Sequence, residues 1–62
     1  MSARTELAEF VLQVLREGQS VSVSDALRLR SWAVTPEDAM LPLEQIALRI
    51  LQEEENKDKR SA

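Results

Sequence analysis

The chain has 62 residues, no cysteine and no histidine, eight Lys and Arg against eleven Asp and Glu, and a formal charge of −3. A chain this short buries only about 60% of the surface its unfolded form exposes, and small scaffolds make up the shortfall with disulfides, a metal or a partner. Without Cys the first is excluded, and without Cys or His a zinc, copper or iron centre lacks its usual ligands, which leaves oligomerisation.

Residues 1–4 read as a short frayed lead-in. Thr5 is placed to cap a first helix over 5–17, with Glu6 in the first turn, where a negative charge suits the helix dipole. Leu7, Ala8, Phe10, Val11, Leu12, Val14 and Leu15 fill one broad arc of that helix, and Glu6, Glu9, Gln13, Arg16 and Glu17 fill the other. Gly18, the only glycine, stands where a left-handed residue ends such a helix.

Residues 19–24 read two ways. As loop and cap, Ser22 with Asp25 approximates a capping box, Asp standing in for the usual Glu or Gln. As a strand, Val21 and Val23 alternate with serines, and residues 27–30 alternate again, so a small hairpin is conceivable. The helix is favoured, because a lone hairpin is marginal and no Asn-Gly or Asp-Gly turn is present. A second helix is therefore predicted over 23–33. Its apolar side of Val23, Ala26, Leu27, Leu29 and Ala33 is interrupted by Arg30, and Trp32 lies off it. Either the helix ends near Arg30, or Arg28, Arg30 and Trp32 stand ready for a partner; the structural alternative is that Trp32 closes one end of the core while both arginines snorkel.

Thr35-Pro36-Glu37-Asp38 stacks a cap, a proline at the first helical position and two acids. Pro42 biases Leu41 away from helical geometry, so a single helical turn near 36–40 is predicted. The alternative is one helix from Pro36, kinked at Pro42, with the Asp38 carbonyl unbonded. The last helix is predicted over 42–56 with Pro42 at its first position, where the missing N–H is not needed. Leu43, Ile46, Ala47, Leu48, Ile50 and Leu51 sweep an arc of roughly 200°, about twice what a surface helix requires. Glu53 with Lys57 and Glu55 with Lys59 are favourable i,i+4 pairs. Residues 57–62 read as a polar solvated tail after a single domain over 1–56.

The fold class expected is all-α, three main helices with one extra turn, a bundle completed by dimerisation. Leu12, Leu15, Leu48 and Leu51 lie at the edges of the two wide arcs and are the residues expected to meet a second copy. A monomer whose three helices enclose both arcs is the alternative. With no His, Cys or Tyr and one glycine, the chain offers no base, nucleophile or phosphate loop of the usual kinds. The expectation is a non-enzymatic protein–protein interaction or regulatory adaptor module, with no catalytic, cofactor or metal site and no small-molecule substrate.

The rival is a small helix-turn-helix-like regulator whose Arg28 and Arg30 reach DNA. Residues 15–21 and 35–38 are similar to stretches of small trihelical antitoxin-type regulators, which implies such a role; the acidic balance weighs against it. No run approaches the roughly eighteen apolar residues of a membrane span, and no basic segment with an apolar core begins the chain, so a cytoplasmic protein is expected.

Overall fold

A computed structural model describes residues 2–61, with side chains as far as Lys57. It is all-α: α1 spans Ala3–Arg16, α2 spans Val23–Ser31, a single 3-10 turn covers Asp38–Met40, and α3 spans Leu43–Ser61. The expected helices are present, and each differs at an end for a local reason.

In α1 the cap is Ser2, not Thr5: the Thr5 N–H donates to Ser2 Oγ at 3.2 Å. Starting there puts Arg4 inside the helix instead of in a frayed lead-in. Its Nη2 donates to the Trp32 carbonyl at 3.0 Å, and its Nη1 lies 3.6 Å from Glu54 Oε1. The far end closes at Gly18, with φ of +78°. The Gly18 N–H donates to the Leu15 carbonyl and the Gln19 N–H to that of Val14, both at 3.0 Å, the paired bonds of a Schellman ending.

Ser22 caps α2, accepting from the Asp25 N–H at 3.2 Å, so the hairpin alternative falls. The helix stops two residues before the predicted end. Its last turn tightens to i,i+3 bonds, from the Trp32 N–H to the Leu29 carbonyl and from the Ala33 N–H to that of Arg30. Thr35 caps the short turn as expected, taking the Asp38 N–H on its hydroxyl at 3.1 Å. Leu41 is extended at φ −74° and ψ 160°, so no continuous kinked helix runs through Pro42.

Pro42 is the residue before α3 rather than its first: its carbonyl accepts the Ile46 N–H at 3.0 Å. The helix then continues past the predicted end at Asn56 to Ser61. Residues 53–61 contain no Gly or Pro and are mostly good helix formers, so polarity there does not interrupt the backbone. The side chain of Lys59, expected to pair with Glu55, lies outside the described side chains, and Ala62 lies outside the described residues.

The core is small. Ala8 and Val11 of α1, Leu29 of α2, and Ile46, Ala47 and Ile50 of α3 are fully buried, with Leu7, Leu12, Leu15, Trp32, Leu43 and Leu51 partly buried against them. Arg4 beside Glu54 fixes one end of the α1–α3 pair, and Leu15 and Arg16 share a cleft with Glu44 at the other, so the helices run antiparallel. Phe10 does not join the buried arc and is 52% exposed. It lies about 130° round the helix from the midpoint of Ala8 and Val11, beyond the reach of α3. Among the described residues no helix is long and apolar enough to cross a membrane.

Candidate functional site

A groove runs along one side of the α1–α3 pair. Its larger part, about 470 Å³, is lined by Glu9, Leu12, Gln13, Arg16 and Glu17 of α1 and its C-cap, with Leu51 opposite on α3. A smaller part of about 150 Å³ lies between Leu12, Leu15 and Arg16 on one side and Glu44 on the other. Leu12 and Arg16 belong to both, so the two parts form one cleft.

The helical repeat explains the lining. Residues 9, 12 and 16 recur on one flank of α1, and 44, 48 and 51 on one flank of α3, each set following the i,i+3,i+4,i+7 spacing of a single face. The two flanks meet because Ala8, Val11, Ala47 and Ile50 hold the helices together immediately beneath them. Three of the four leucines singled out in the sequence, Leu12, Leu15 and Leu51, thus line one cleft while packing partly on the core. Leu48 lies on the same flank of α3 as Glu44 and Leu51 and is 40% exposed; it does not line the cleft but forms an apolar rim beside it.

The polar lining was not singled out from the sequence. Glu9, Gln13, Arg16 and Glu17 appeared only as the wet side of the first helix, and Glu44 was given no role. The available signal was position: Glu9 and Arg16 flank Leu12 at i−3 and i+4 and so must share its border. Within the cleft Gln13 Nε2 donates to Glu17 Oε1 at 3.3 Å.

Arg28, Arg30 and Trp32 lie elsewhere. None lines the cleft, and the two arginines fall about 160° apart around α2, so they do not form one basic surface. Arg28 is exposed, and its carbonyl accepts from Ser31 Oγ at 2.7 Å. Arg30 is engaged within the fold: Nη1 donates to the Ala39 carbonyl at 2.6 Å and to the Leu41 carbonyl at 3.0 Å, fastening the 3-10 turn to α2. Trp32 packs partly buried against the core, and its carbonyl receives Arg4. Among the described residues no three His, Cys, Asp or Glu side chains converge as a metal would need.

The cleft is lined by leucines from both helices and by charges of both signs. Comparison of the chain with protein-family models, with curated proteins and with solved structures finds no match to any of them.

Proposed function

We propose that this chain is a non-enzymatic protein–protein interaction module of the regulatory adaptor kind, self-associating through the α1–α3 cleft, and cytoplasmic, which suits a chain without cysteine. The observation that carries the reading is the cleft between α1 and α3 that Leu12, Leu15 and Leu51 line among charged neighbours, with Leu48 exposed beside it on α3. Covering a Leu side chain completely contributes about 1.5–3 kcal/mol relative to leaving it in water. Small domains have only a few kcal/mol of stability to begin with. Leu12, Leu15 and Leu51 are already partly buried, so association adds only part of that for each, and more for the exposed Leu48. The DNA-binding alternative has less behind it, because Arg30 would have to give up two carbonyl bonds and leave both acceptors unpaired.

Sedimentation equilibrium over a dilution series tests the reading. The expected result is a dimer that dissociates on dilution, with a melting temperature that rises with protein concentration. Leu48→Glu places a charge on the apolar rim and is expected to give a monomer with unchanged helical circular dichroism. A wild-type chain that stays monomeric to millimolar concentration, with a concentration-independent melt, overturns the proposal.

A further inference from the structure

The flank of α1 that borders the cleft carries a charge order that is its own complement. Glu9 and Arg16 stand about two helical turns apart and within about 20° of each other around the axis, with Leu12 and Gln13 midway between them. Both charged side chains are exposed, and neither makes an ion pair or a side-chain hydrogen bond among the described residues. A two-fold axis passing between Leu12 and Gln13 would lay a second α1 antiparallel to the first. Each Glu9 would then face the partner's Arg16. Interfaces of this symmetry must be self-complementary, because the same patch serves both copies.

The parallel pairing of α1 fails that test. A parallel pair of α1 helices sets Glu9 on Glu9 and Arg16 on Arg16.

We infer that the occupant of the cleft is α1 of a second copy of this chain, running antiparallel about a dyad between Leu12 and Gln13. Two Glu9–Arg16 pairs fix the register, and each Leu12 faces the partner's Gln13 at the mouth of the cleft. This rests on the self-association reading and adds to it an axis, a direction and a register.

Charge reversal tests it at low ionic strength, where such pairs are least screened. E9R places Arg against Arg at both ends of the interface, and R16E places Glu against Glu. Each is expected to raise the dimer dissociation constant by about ten-fold or more. An equimolar mixture of the two single variants is expected to form a heterodimer of near wild-type affinity. In it the two introduced side chains face each other with opposite charge, and the native Arg16 of one chain faces the native Glu9 of the other. The double variant E9R/R16E is expected to dimerise by itself. Because it carries the same two changes, its recovery separates lost docking from lost folding, which circular dichroism checks independently. A wild-type dimer that neither single variant weakens, or whose weakening neither the mixture nor the double variant repairs, overturns the dyad and leaves self-association standing. A wild-type chain monomeric at every concentration overturns both.

Discussion

The α1–α3 pair and the segment formed by α2 and its following turn are built by different means. The pair supplies five of the six fully buried residues, Ala8, Val11, Ile46, Ala47 and Ile50. From α2 there is only Leu29, and the 3-10 turn has none. The second region packs Leu29, with the partly buried Trp32, Ala33 and Leu41, on that core and adds polar ties to it. Arg30 ties α2 to the carbonyls of Ala39 and Leu41, Arg4 ties α1 to the carbonyl of Trp32, and Arg49 Nε donates to Asp38 Oδ2 at 3.3 Å. Apolar burial is non-directional and cooperative, whereas these bonds are few and each depends on one side chain. The molecule therefore has a stiff half and a fastened half, and the cleft lies along the stiff one.

The largest effect expected from a single change lies in the pair. Ile50→Ala deletes a fully buried side chain at the contact of α1 with α3 and should cost about 2–5 kcal/mol. For a domain this small that is comparable with its whole stability at about 0.05–0.15 kcal/mol per residue. Loss of the cooperative thermal transition, with helicity falling in all three helices, is the expected outcome. Arg30→Ala should act on the fastened half. Removing a guanidinium that serves two part-buried carbonyls is expected to cost about 1.5–3 kcal/mol. Native-state hydrogen exchange should show it as faster exchange in α2 and residues 38–41, with amides of α1 and α3 keeping their order of protection. If Arg30→Ala speeds exchange equally everywhere, the two regions are one cooperative unit and the contrast fails.

The same contrast explains which parts were legible in the sequence. Elements set by neighbours in the chain were readable: Gly18 ends α1, Ser22 starts α2 and Thr35 starts the short turn, each by contacts within a few residues. The wide apolar arcs were readable too, since a helix repeats its faces regularly; three of the four edge leucines line the cleft and Leu48 does not. Phe10 shows the limit of the wheel. An arc says which residues avoid water but not where a partner helix stops, and α3 stops short of Phe10. Ser2 and Thr5 were both chemically fit to cap α1, and the choice is tied to Arg4, whose partners Trp32 and Glu54 are distant in sequence. Arg30 was the least legible. A guanidinium bound to carbonyls nine and eleven residues on leaves no local pattern, and from the sequence alone it resembles a free surface charge.

The smallest predicted effect asks how many fasteners the turn has. Arg49 reaches it from α3 through Asp38, but the Arg49 side chain is 49% exposed, and an ion pair so open to water is worth about 0.2–1 kcal/mol after screening and side-chain ordering. Arg49→Gln should therefore lower stability only slightly and leave exchange at residues 38–41 almost as in the wild type. Asp38→Asn removes the same pair while keeping its backbone N–H on the Thr35 hydroxyl, so the two changes form a double-mutant cycle. A coupling energy within about 1 kcal/mol, vanishing at high salt, fits a turn held chiefly by Arg30. A much larger coupling that survives salt would mean that α3 grips the turn as firmly as α2 does, and the stiff half would then extend through residues 38–41.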